Sequence, residues 1–152
     1  MLLLGGLTLE KIACAANRSN SSSLLAQRWF SLLARIALTS AFWLSAVGKA
    51  LHFPGAVEEV RHLVGVEPAW LLALLVILVQ FSGSVLVICG GRWAWLGAGA
   101  LGVFTALATL LAHSWWTKTG IERFHDFNTF WEHVGLIGGL MLAAVLAARD
   151  RR

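Results

Sequence analysis

PAWLLALLVILVQFSGSVLVICG, residues 68–90, contains no charged side chain, and Gln80 is its most polar member. A helix needs about 20 mostly apolar residues to cross the hydrocarbon core of a bilayer. Three further segments have that character, residues 31–51, 93–113 and 130–148. Strands crossing a membrane would alternate over about ten residues, and no such alternation occurs. The expected fold class is therefore all-α, an integral membrane four-helix bundle.

Composition agrees. Hydrophobic residues make up 58% of the 152-residue chain and charged residues 13%, and the mean hydropathy is +0.73. A soluble domain of this size cannot hide that much apolar surface. Disordered chains are poor in apolar residues, and two cysteines build no disulfide scaffold. The net charge of +4 is assigned to arginines at helix ends. Nucleic acid is not expected as a partner, because no basic stripe with interleaved aromatics is present. The expected partner is a lipid membrane.

Lysine and arginine counts predict the orientation. With both termini on one side, that side carries Lys11, Arg18, Arg28, Arg92, Arg149, Arg151 and Arg152. The other carries Arg61, Lys118 and Arg123. The excess predicts N-in and C-in, in the cell inner (plasma) membrane. Trp29, Trp70, Trp93, Trp95, Trp115, Trp116 and Trp131 fall near span ends, as aromatic belts do. Residues 1–28 read as a cytoplasmic tail and linker, since no positive stretch precedes the apolar start as a signal peptide requires. Residues 29–152 read as the four-span domain.

Gly90-Gly91 predicts a tight link between spans two and three. Gly135 and Gly139 in span four, with Gly97, Gly99 and Gly102 in span three, predict a close contact between those two helices. His52-Phe53-Pro54-Gly55 reads as a turn. Val57, Val60, Leu63 and Val64 then recur at helical spacing, predicting a short surface helix. Residues 114–129 read as a long loop.

Polar residues inside the spans require explanation, because charge in a membrane is costly. Arg35, Thr39, Phe42, Ala46 and Lys49 share one stripe of the first helix. Gln80 needs a hydrogen-bond partner. All five histidines, His52, His62, His113, His125 and His133, fall at one end of the spans, with Asp126 and Glu132. The candidate polar or ligand site is Lys49, His113, Glu132 and His133. The secondary candidates are Arg35, Gln80, His52 and His125. A quinone ranks first among ligands for such a site, ahead of a metal and a haem. No metal-binding motif is present and no metal ligands are assigned. The competing reading treats the histidines as structural. Thr129-x-x-Glu132 fits a capping box opening span four, and Glu132 is alternatively placed to pair with Lys49. No catalytic nucleophile is identifiable.

These residues together resemble the DoxX family of small membrane proteins, over about residues 32–146. RIALTSAFWLSAVGKAL supplies the opening pattern, with Arg35, Phe42, Ser45 and Lys49 matching and Ala46 where Gly is frequent. QFSGSVLVICGGRWAWLGA follows, with Gln80 where Glu is common, which removes a titratable group. LLAHSWW and NTFWEHVGLIGGLMLA carry the rest of the likeness. The resemblance implies a four-helix membrane bundle. It further implies a subunit or partner of redox enzymes, since some members are associated with quinone-linked oxidation of sulfur compounds and others with thiol and oxidative-stress systems. The alternative expectation is a non-enzymatic membrane scaffold or assembly factor.

Overall fold

The computed structural model describes residues 27–149. Nearly all of the expected tail lies outside the described residues. The chain divides into two units, Met1–Ala34 and Arg35–Arg152. The described part of the first is the opening of helix α1 (Arg28–Leu51). The second holds the rest of that helix and everything that follows.

Helix α2 (Phe53–Val64) follows α1 after a single intervening residue, His52. The Phe53-Pro54-Gly55 segment is helical rather than a turn. Pro54 sits in the first turn, where a missing N–H costs nothing. The helix stops at Gly65, whose φ of 67° is a left-handed conformation open to glycine. Helix α3 (Ala69–Cys89) follows. The Glu67 carboxylate accepts the Ala69 N–H at 2.9 Å, covering an open donor at its start. The other Glu67 oxygen accepts Arg61 Nε at 2.7 Å, and Arg61 Nη1 reaches Glu58 at 2.6 Å. The Arg61 guanidinium, helped by the Ala69 N–H, holds the Glu67 carboxyl below its ordinary range.

Gly90 and Gly91, with φ of 73° and 72°, turn the chain through a short 3-10 segment, Gly91–Trp93. Helix α4 (Ala94–Ala112) returns across the bundle. A second 3-10 turn, Trp115–Thr117, leads into α5 (Gly120–Arg149). At about 1.5 Å per residue, the 30 residues of α5 exceed a hydrocarbon core of about 30 Å. Its opening turns, expected as loop, are helix. Trp115 packs edge-on against Phe127 at 5.3 Å, and Asp126 ties this segment to Lys118. Thr129 and Glu132 therefore lie inside a helix and form no capping box.

Four helices are long and apolar enough to cross a membrane, and no strand occurs among the described residues. Leucines, valines and tryptophans are exposed along all four, an outward apolar surface suited to lipid. The centre is built from Phe42, Val87, Ala98, Leu101 and Leu140, with Phe42 edge-on to Phe104. The expected stripe of α1 faces inward: Thr39, Phe42 and Ala46 are buried. Buried hydroxyls return to their own helices, Ser84 to the Gln80 carbonyl at 2.7 Å and Thr105 to that of Leu101 at 2.7 Å. Ala56 and Val60 pack with Ala73, which seats α2 on α3.

The small-residue contact lies elsewhere than expected. A Cβ on Gly97 would sit 2.6 Å from the Gly83 carbonyl oxygen, and one on Gly83 would sit 2.8 Å from Leu101. The glycine seam therefore joins α3 to α4. Helices α4 and α5 do pack together, but Gly99, Gly102 and Gly135 have open space where a Cβ would be. Gly139 instead admits Leu38 of α1.

Candidate functional site

At the histidine end of the bundle the helices part around a cavity of about 520 Å³. Its walls are mostly apolar, with Phe42, Val76 and Phe104 among them. Its polar lining is Ser45, Lys49, Glu59, Gln80, Thr105, His113 and His133. An apolar chamber with a few converging polar groups is the usual form of a small-molecule site.

Each polar group is positioned by local structure. Lys49 lies in the last turn of α1, one turn after buried Ala46. It forms an ion pair with Glu59 of α2, and its side chain is 16% exposed. Gln80 lies mid-way along α3, is 5% exposed, and its Oε1 is buried with no hydrogen-bond partner. His113 caps the end of α4, its N–H donating to the Thr109 carbonyl at 2.9 Å. Its ring Nδ1 lies 3.2 Å from Asp126 Oδ1, and Asp126 is also paired with Lys118. His133 of α5 approaches from the facing helix. Its Nδ1 lies 2.8 Å from Thr109 Oγ1, and its ring meets that of His113 edge-on, centroids 5.2 Å apart.

Four of the sequence candidates, Lys49, Gln80, His113 and His133, thus share one cavity. The others do not join them. Glu132 is exposed and does not line the cavity, and Lys49 takes Glu59 in its place. The reason is helical phase: Glu132 and His133 are adjacent and point about 100° apart. Arg35 lies at the other end of the bundle, where its guanidinium packs over Gly90 at the end of α3. A cation is favoured there by the negative end of the helix dipole. His52 folds back over Gly55 in the first turn of α2. His125 is exposed beside Phe124.

Sequence reasoning missed Glu59 and Thr109. Thr109 carried a usable signal, because Thr105, Thr109 and His113 recur at four-residue spacing on one helix face. Glu59 carried none, since its pairing depends on how α2 folds back. Among the described residues no group of three or more His, Cys, Asp or Glu is placed to hold a metal ion.

No curated protein and no solved structure matches this chain. The family model described as DoxX matches residues 30–114. The match runs from α1 to just beyond His113 and covers more than half of the sequence. It stops before α5, so the likeness read in the fourth span lies outside it. With its four membrane-crossing helices and this match, the chain is a membrane protein of the DoxX family.

Proposed function

We propose that this protein is an accessory or anchor subunit of a quinone-linked or thiol-related redox system, with the cavity as its quinone head-group site. The observation that carries the reading is the convergence of Lys49, Gln80, His113 and His133 on one largely apolar cavity. A quinone needs apolar walls for its ring and tail and polar groups for its oxygens. Imidazoles suit the second task because they exchange protons near neutral pH. In this reading electrons come from a soluble partner enzyme docked at the membrane.

In this reading the chain sits N-in and C-in in the plasma membrane, as the excess of basic residues on the terminal side supports. Residues 1–28 form a cytoplasmic tail, and residues 29–152 form the membrane domain. The histidine end and its cavity then face outward.

Two experiments test the proposal. Tagged protein is isolated from its native membrane in mild detergent, and co-purifying proteins are identified by mass spectrometry. A stoichiometric oxidoreductase supports the reading, and recovery of the chain alone from a preparation that preserves other complexes counts against it. A short-tailed benzoquinone is then titrated into the purified protein. Its affinity should fall at least tenfold in His113→Ala and in His133→Ala, and unchanged affinity in both would remove the site assignment.

A second reading, a non-enzymatic scaffold, draws on the opening turns of α5. Ile121 and Phe124 are exposed there, on a part of the helix that extends past the hydrocarbon core. A partner held without any effect of the histidine variants would favour it.

A further inference from the structure

A second recess of about 520 Å³ lies on the outer surface of α3 and α4. Leucine, valine, phenylalanine, tryptophan, alanine and glycine line it, and no charged, hydroxyl or amide side chain does. Along α4 it runs from Leu107 to Trp95, about 18 Å at the rise of a helix. Trp95 stands at the start of α4, the end remote from the histidines. Leu96 and Val103 beside the groove are 40% and 63% exposed, so in a bilayer it faces lipid. Gly99 places no side chain in it, and a Cβ there would meet nothing within 4 Å.

Leu75, Val76, Phe104 and Leu107 border both this groove and the cavity at the histidine end. Leu75 and Leu107 are more than half exposed, and exposed side chains change rotamer within nanoseconds. Between α3 and α4 the cavity is thus bounded by apolar side chains free to reorient, with an apolar groove beyond them. The other ways out suit a hydrocarbon chain less well. Toward α2 the cavity meets the ion pair of Lys49 with Glu59, and covering charge with hydrocarbon is costly. Deeper between α3 and α4, Leu101 is fully buried and Gly83 meets Gly97, which leaves no room for a chain.

We infer that the ligand of the cavity is a long-tailed membrane lipid, which enters from the bilayer between Leu75 and Leu107 and lays its tail in the groove between α3 and α4. The inference rests on the reading of the cavity as a ligand site and adds where the ligand comes from and what holds its tail. A head group in the cavity brings the first tail atoms to the four shared side chains, and the groove continues from there along α4 toward Trp95. Lipid is as apolar as the groove, so the tail gains close packing rather than escape from water. A solute entering from water would have no use for this surface.

The experiment uses two probes with one head, ethyl-benzoquinone and hexadecyl-benzoquinone, titrated into the full chain in nanodiscs with empty nanodiscs as the blank. Gly99→Phe fills the groove without meeting the protein, and Gly102→Phe is the matched control, since that position is equally open and lines neither space. Comparing one probe across variants in the same membrane cancels its partition into lipid. Affinity for the hexadecyl probe should fall about tenfold in Gly99→Phe and stay unchanged in Gly102→Phe, while the ethyl probe binds all three proteins alike. A hexadecyl probe with a diazirine near the middle of its tail is then photolysed on the unmodified protein, and the labelled residues are mapped by mass spectrometry. Label is expected on Leu96, Gly99 and Val103, and excess ethyl probe should suppress it. This step decides the case even where Gly99→Phe destabilises the chain. Label spread over the lipid-facing sides of other helices overturns the inference, as does groove label that persists under excess ethyl probe, the mark of bulk lipid. With the ethyl probe still bound, either result leaves the cavity as a ligand site. Binding of neither probe to the unmodified protein overturns the ligand-site reading and the inference with it.

Discussion

Helices α3 and α4 meet in two different ways within one turn of each other. At Gly83 and Gly97 they touch backbone to backbone, and Leu101 closes the seam. One turn nearer the histidine end, Gln80 and Thr105 face a cavity instead. In the seam every polar backbone group stays within its helix, and small residues let the helices approach until no space is left. Beside the cavity, the buried Gln80 amide oxygen is left without a partner. The first region is built for stability alone. The second carries an unanswered polar group of the kind that a purely structural interior avoids.

Breaking the sealed side should give the largest effect. Gly97→Leu drives a side chain into the Gly83 carbonyl, a backbone atom that has no room to yield. A loss of about 3 kcal/mol or more is expected, read as a lowered thermal midpoint in detergent. Gly102→Ala is the matching control, because open space surrounds that position. It should be neutral or stabilising by about 1 kcal/mol through helix propensity. Equal damage from both would show that the seam is not the close contact described.

The cavity side should respond in the opposite direction. Gln80→Met removes the unanswered amide at little change in volume. A gain of about 1 kcal/mol is expected, since a buried unsatisfied polar group is relieved. Affinity for the short-tailed benzoquinone should fall in the same variant. Lower stability together with unchanged binding would mark Gln80 as an ordinary interhelical tie.

Smaller effects are expected at the rim. Glu59→Gln breaks the ion pair with Lys49, of which the Glu59 side chain is 51% exposed. For so exposed a pair the loss should be at most about 1 kcal/mol. Lys49 should then react faster with an amine-labelling reagent, a readout that purely structural damage elsewhere would not produce.

The least effect concerns Glu67. Its carboxyl is held below the ordinary value by Arg61 and the Ala69 N–H. A depressed folded pKa stabilises above the unfolded pKa, and that stabilisation is lost as pH falls through the folded one. The thermal midpoint should thus drop slightly on acidification below the normal carboxylate range. Glu67→Gln should flatten that part of the profile, and an unchanged profile would dismiss this contribution of Glu67.

Much of this molecule was legible before folding was considered. The four spans, the surface helix over Val57 to Val64 and the inward stripe from Thr39 to Ala46 all follow from hydropathy and period. Those are local quantities, sums over neighbouring residues that membrane burial rewards directly. The clustering of Lys49, His113 and His133 at one end was likewise visible, because alternating spans set depth. The misreadings came where depth alone was asked to do the work of rotation. Glu132 and His133 share a depth, yet helical phase sends one outward and the other into the cavity.

Other features required the chain to be assembled. Which glycines touch depends on the rotation of each helix about its axis, and Gly97 and Gly102 look alike until that is known. The length of α5 depended on Trp115 and Lys118 gripping Phe127 and Asp126 from outside the helix. The polar partners of His113 and His133, Asp126 and Thr109, lie on other elements. Composition and periodicity are properties of single segments, so the sequence settled what crosses the membrane. The cavity, its partnerless amide and its two oriented imidazoles are properties of pairs of segments, and packing alone brought those pairs together.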